Sequence, residues 1–263
     1  MTDSGDKFST EVVDMFGSAI FYLGLIMFTA GLALVVKPIR LLRVTTRWHG
    51  LGVVGGGVLL ASMGLILPAS ESRVTRKETR LDEFAPVWQF RECHTIEVAA
   101  PPARVFEAMK RVRADEVFLF RTLIWIRSGG QPTPQSIETA GEHESLIDVA
   151  THTTFVLLAE DVPRELVIGT VVGEPPGTRG PLTPEFFQKP IPDGFAVGTM
   201  NFLVTAKDPG HSLVSTETRV FANGPSAQRR FAAYWRVIYP GSAIIRRMWL
   251  RAIERRATRP DEP

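Results

Sequence analysis

Two short constellations carry the residue types that acid–base or ligand chemistry needs. Asp148 and His152 lie four residues apart in a Val- and Thr-rich run, 145–159, which reads as a strand, so both fall on one face of it. A carboxylate beside an imidazole can orient that ring as a general base. Plain surface hydrogen bonding is the simpler use of the same pair. In SLVSTETRVF, residues 212–221, Leu213, Ser215, Glu217, Arg219 and Phe221 share one face. Val214, Thr216, Thr218 and Val220 occupy the other, and Thr199, Asn201 and Leu203 alternate in the same way on the run before it. If the face with Glu217 and Arg219 lines a cavity, the two charges must pair or bind a polar ligand head, because unpaired buried charge is costly. If it faces solvent, they are ordinary cross-strand partners. The acid–base candidates are therefore Asp148, His152 and Glu217, and the polar ligand contacts are Glu217, Arg219 and Asn201.

The other titratable groups give less. His94, His143 and His211 are scattered, and no HxxxH or HExxH pattern puts two imidazoles on one helical face. No metal site and no cofactor are expected. The single cysteine, Cys93, excludes an internal disulfide framework and reads as a small core residue. Arg247, Arg251 and Arg255 form an i, i+4, i+8 stripe, either a solvated helix face or a contact for anionic head groups. A net charge of +2 gives no nucleic-acid signal.

These residues need elements to position them. The run 91–100 reads as a strand, Pro101-Pro102 then starts a helix, and Val105, Ala108, Met109 and Val112 form its apolar face. A second short helix is expected over 114–123 and a loop over 128–142. Strands are expected over 145–159, 164–173, 195–206 and 212–222. Residues 174–194 hold six Pro and three Gly, so this long loop is either an apolar lid carrying Phe186 and Phe187 or a surface loop that those two rings anchor. The C-terminal run places Phe231, Tyr234, Trp235 and Ile238, then Ile245, Met248, Trp249 and Ala252, at helical spacing around Pro240-Gly241. It reads as a kinked or broken amphipathic helix. Strand, helices, a run of strands and a terminal helix make an α+β pattern.

Ahead of this lie two uncharged stretches, 17–36 and 50–69, each twenty residues long. A helix of that length spans roughly 30 Å, the hydrocarbon thickness of a bilayer. The first fourteen residues carry Asp3, Asp6, Glu11 and Asp14 against Lys7 alone, the wrong sign for a cleaved signal peptide. The expectation is a two-helix transmembrane hairpin in the cell membrane, behind a tail of residues 1–16. Gly17, Gly24 and Gly31, with Gly52, Gly56, Gly57 and Ala61, let helices approach closely, in an internal hairpin or a homodimer. The connecting loop holds Lys37, Arg40, Arg43 and Arg47, which favours both termini outside the cytoplasm, although the outer flanks hold five basic residues against these four. Residues 71–83 read as a charged, solvated linker, and a water-soluble domain follows over 84–258, with a tail of 259–263.

The opening HTIEVAAPPARVFEAMKRV, the strands FVLLAE, MNFLVTAKD and STETRVFA, and the closing FAAYWRVIYPGSAIIRRMWLRAI resemble the START-like, or SRPBCC, superfamily of polyketide cyclases and lipid-transport domains. The resemblance covers about residues 88–258 and carries no catalytic motif. It implies a helix-grip fold, an antiparallel sheet curved around the long C-terminal helix, with an apolar cavity between them. Phe186, Phe187 and Trp235 are the apolar ligand contacts to look for. Three functions stay open: binding of a hydrophobic small molecule or lipid near the bilayer, a cyclase- or hydratase-like reaction in the same cavity, or a non-catalytic membrane interaction protein with a filled core.

Overall fold

The computed structural model describes residues 5–37, 47–117, 144–178 and 182–259. The loop expected over 128–142, His143, and most of the basic loop between the two apolar stretches lie outside these residues. The chain divides into two compact units, Met1–Ser72 with Gln228–Val237, and Arg73–Ala227 with Ile238–Pro263.

In the first unit, α1 (Gly5–Val36) and α2 (Arg47–Ile66) form an antiparallel pair. Both contain spans, Gly17–Val36 and Arg47–Ile66, long and apolar enough to cross a membrane. The segment read as a tail is helical from Gly5 on, because a helix once nucleated by the apolar span extends at little cost through Glu, Lys and Met. The second helix starts and stops three residues earlier than its uncharged stretch, since Pro68 disfavours helical geometry at Leu67. Glycines set the closeness of the pair. A Cβ on Gly31 would lie 2.7 Å from the Val54 amide nitrogen, and one on Gly64 would lie 2.6 Å from that of Phe21. Gly24 and Gly57 meet the backbones of Ala61 and Phe28 in the same way.

In the second unit, β1 (Phe90–Val98), β2 (Val156–Asp161), β3 (Glu165–Gly173), β4 (Ala196–Asp208) and β5 (His211–Ala222) form one antiparallel sheet in the order β1-β5-β4-β3-β2. A 34-residue helix, α6 (Pro225–Thr258), closes the chain, and its Trp249, Leu250 and Ile253 pack on Val98, Ile168, Met200, Phe202, Val204 and Val214 of the sheet. This is the helix-grip arrangement. Pro102 opens α4 (Pro102–Arg111), whose Val105, Phe106, Ala108 and Met109 enter the same core.

Four expectations change. Residues 146–153 are a helix, α5 (Leu146–Thr153), and only Val156–Asp161 is strand. The Ser145 hydroxyl accepts from the Asp148 amide as an N-cap, and Leu146, Ile147 and Ala150 share a buried helical face, so burial of that face overrides the β-branched composition. The helix expected over 114–123 is a single 3-10 turn, Ala114–Glu116, where described. Pro240 does not break α6. The end of the expected linker is packed: Leu81 and Asp82, in α3 (Leu81–Phe84), are buried against the sheet beside Val167.

Candidate functional site

Alternation decides which strand residues meet α6. On β1 the inward set is Glu92, His94, Ile96 and Val98, and on β5 it is Ser212, Val214, Thr216, Thr218 and Val220. The antiparallel register sets Glu92 beside Thr218 and His94 beside Thr216. On α6, Ser242 and Arg246 are one turn apart and face this end of the sheet.

The six residues form a polar patch at one end of an otherwise apolar wall. Glu92 Oε1 lies 2.8 Å from His94 Nε2, and Ser242 Oγ donates to Glu92 Oε2 at 2.7 Å. Arg246 Nη1 donates to Thr216 Oγ1 at 3.1 Å. The Glu92 side chain is 1% exposed and that of His94 10%. Thr218 Oγ1 is buried with no hydrogen-bond partner among the described residues. An orphaned hydroxyl beside a buried carboxylate is costly unless something polar meets it. Beyond the patch the sheet face is apolar and packed against α6, with the Phe202 and Trp249 rings 5.0 Å apart. Chemically, the patch offers a carboxylate and an imidazole in contact, three hydroxyls and a guanidinium. That set can hold the polar head of an amphiphile or pass a proton.

The residues singled out from sequence lie elsewhere. Glu217, Arg219 and Asn201 do come together, but on the sheet face opposite α6, beneath residues 78–88. Arg219 Nε donates to Glu217 Oε1 at 2.7 Å, and its Nη1 donates to Asp82 Oδ1 at 2.7 Å and to the Ala85 carbonyl at 3.0 Å. Its guanidinium carbon sits 4.2 Å from the centre of the Trp88 ring. Arg91 Nε donates to Glu217 Oε1 at 2.8 Å. Asn201 Nδ2 donates to Glu165 Oε1 at 2.6 Å, and Glu165 also accepts from the amides of Arg80 and Leu81. Burial pushes the Glu217 carboxyl up, but Arg91 and Arg219 outweigh it and hold that carboxyl below its ordinary value. Asp82 behaves alike: burial raises it, while the Glu78 and Thr79 amides and Arg219 bring it below its ordinary value. This lattice straps residues 78–88 to the sheet.

Asp148 and His152 are exposed on α5, and His152 Nδ1 donates to the Asp148 main-chain carbonyl at 2.6 Å, not to its carboxylate. The three acid–base candidates therefore do not converge. Phe187 is buried against Gly169, where a Cβ would lie 2.7 Å from its ring, and Phe186 meets Phe187 edge to face and Phe195 at a tilt. Gly169 belongs to the face turned away from α6, so the two rings anchor the Pro-rich loop there. Trp235 falls in the stretch of α6 that groups with the hairpin unit, its ring 5.8 Å from Phe231. Cys93 is exposed, because its odd position on β1 turns it outward while Glu92 and His94 turn in. The missed residues, Glu92, Thr216, Thr218, Ser242 and Arg246, had one signal: the face of β5 with Val214, Thr216, Thr218 and Val220 is the one without formal charge.

No family model and no curated sequence matches this chain. Solved structures resemble it at low levels. A conserved protein from Geobacillus kaustophilus is 12% identical with a TM-score of 0.33, covering 64% of this chain and 95% of its own. A hypothetical protein from Helicobacter pylori is 7% identical with a TM-score of 0.34, covering 71% and 98%. The Zhui aromatase/cyclase from Streptomyces sp. R1128 is 16% identical with a TM-score of 0.25, covering 64% and 94%.

Proposed function

We propose that this chain is a membrane-anchored helix-grip domain that binds a hydrophobic small molecule or lipid near the bilayer. One observation carries the anchor: the α1–α2 pair leaves Ile26, Val36, Leu59 and Ile66 64%, 79%, 72% and 71% exposed. Apolar surface of this extent, on two spans free of acidic residues, is costly in water and at home among acyl chains. In the sheet-and-helix unit, the polar group of Glu92, His94, Thr218, Ser242 and Arg246 at the edge of the apolar core supports the ligand reading, since an amphiphile's polar head would satisfy it.

The test uses the full chain. It should sediment with membranes on ultracentrifugation and leave them only with detergent. Native mass spectrometry of the detergent-purified protein should show a bound apolar molecule, and uptake of a fluorescent lipid should saturate. A chain that stays in the supernatant without detergent overturns the anchor. An empty protein with no saturable uptake overturns the ligand reading.

A second reading, a cyclase- or hydratase-like enzyme, is favoured by the contact between Glu92 and His94. A carboxylate touching an imidazole can take a proton from a bound substrate and return it. Conversion of a bound ligand that stops in Glu92→Gln while uptake continues would support it. A ligand recovered unchanged from the native protein would remove it.

A further inference from the structure

The stretch Gln228–Val237 of α6 has a part in the hairpin unit that the sequence did not show. Arg236, fully buried, donates from Nη1 to the Leu65 carbonyl at 2.9 Å and from Nη2 to the Leu67 carbonyl at 2.7 Å. Its own carbonyl accepts from the Tyr22 hydroxyl, and its guanidinium lies against Gly17. Gly17 begins the first apolar span and Ile66 ends the second. The Arg236 end of Gln228–Val237 therefore sits where both spans terminate, on one side of the hairpin.

The residues there suit the boundary between hydrocarbon and water. Phe231, Tyr234 and Trp235 cluster with ring centres 5.7 and 5.8 Å apart, and Tyr and Trp are residue types found at head-group level. The outer face runs through Arg229, Ala233 and Val237 at i, i+4, i+8, with Arg230 beside Arg229. Arg229 and Arg230 are exposed, and Val237 is 60% exposed. Two guanidiniums at one end and an aliphatic patch at the other complement a layer of phosphates above acyl chains.

We propose that this face of Gln228–Val237 docks into the anionic head-group layer of the same bilayer that holds the hairpin, with Arg229 and Arg230 on lipid phosphates. The inference rests on the membrane reading of α1 and α2 and adds a third membrane-engaging element to it.

The test reads the two claims separately. Full-length protein in a Cys93→Ser background carries one cysteine, at Ile26→Cys in the hairpin or at Val237→Cys on the docking face. Each is labelled with a polarity-sensitive fluorophore and reconstituted into phosphatidylcholine vesicles with and without phosphatidylglycerol. Lipids with quenchers at shallow or deep positions report depth. The expected result is deep quenching at position 26, shallow quenching at 237, and stronger shallow quenching with phosphatidylglycerol. Arg229→Glu with Arg230→Glu should shift the docked population by roughly tenfold or more and abolish the phosphatidylglycerol effect. Deep quenching at 26 with none at 237 overturns the docking and leaves the hairpin standing. No quenching at either site overturns both. A label at 237 shielded from aqueous iodide yet untouched by shallow quenchers means that protein covers the face, and overturns the docking.

Discussion

The Tyr22 hydroxyl donates to the main-chain carbonyl of Arg236. That carbonyl lacks the usual donor four positions on, because that residue is Pro240, which has no N–H. A side chain from α1 thus meets the acceptor that the proline orphans, so α6 continues through Pro240 with this carbonyl satisfied. Tyr22→Phe should lower stability by about 1 kcal/mol, read as a lower Tm in detergent. An unchanged Tm would mean the carbonyl finds another donor.

Close glycine contacts predict a steric lesion. Gly57→Leu would drive a side chain into the Phe28 backbone. The expected cost is about 1–3 kcal/mol, with weaker disulfide cross-linking between engineered cysteines on α1 and α2. Gly52→Leu, where a Cβ meets nothing within 4 Å, should leave both readouts unchanged. Equal effects at the two positions would argue against glycine-mediated packing.

On the sheet face away from α6, Arg219 joins Asp82 and Glu217, with side chains 8%, 6% and 15% exposed. Arg219→Met should take the cation from Asp82 and leave Glu217 with Arg91 alone, at a cost of about 3 kcal/mol in urea unfolding. Ligand uptake by the fraction that remains folded should be unchanged. Selective loss of uptake at full stability would instead return this residue to the binding site.

The same lattice gives an acid limb. Asp82 and Glu217 are both held below their ordinary values of 3.8 and 4.5. Groups depressed in the folded state stabilise it fully above those ordinary values and lose that contribution as pH falls through the folded ones. Stability should therefore be flat above about pH 5 from these two groups and fall below it. The fall should be shallower in Asp82→Asn, as measured by unfolding at stepped pH. An identical acid limb in that variant would exclude Asp82 as a source.

At the inward patch, Glu92→Gln keeps the shape and removes the carboxylate. Retention of an amphiphile by the purified protein should drop by about tenfold, the effect of a lost charge-assisted hydrogen bond. Phe202→Leu, in the core beneath Trp249, should change lipid uptake less than it changes stability. Retention unaffected by Glu92→Gln would remove the polar end of the proposed site.

Much of the architecture was legible in the chain. The two uncharged twenty-residue stretches, the Pro-started helix with Val105, Ala108 and Met109 on one face, and the alternation of β5 each follow from local periodicity. Val- and Thr-rich composition points to a strand over 145–159, whereas at 146–153 an N-cap at Ser145 and a shared buried helical face prevail.

Periodicity says which residues share a face of a strand, but not which way that face looks. Glu217, Arg219 and Asn201 belong together by alternation alone, as the structure has them. Only the packing of α6 on Val214 and Phe202, and of residues 78–88 on the reverse, turned that set outward and brought Glu92, His94 and Ser242 together. The physical reason is that a period of two fixes relative side-chain direction within a strand, whereas the absolute direction is set by which surface buries more apolar area against its neighbours.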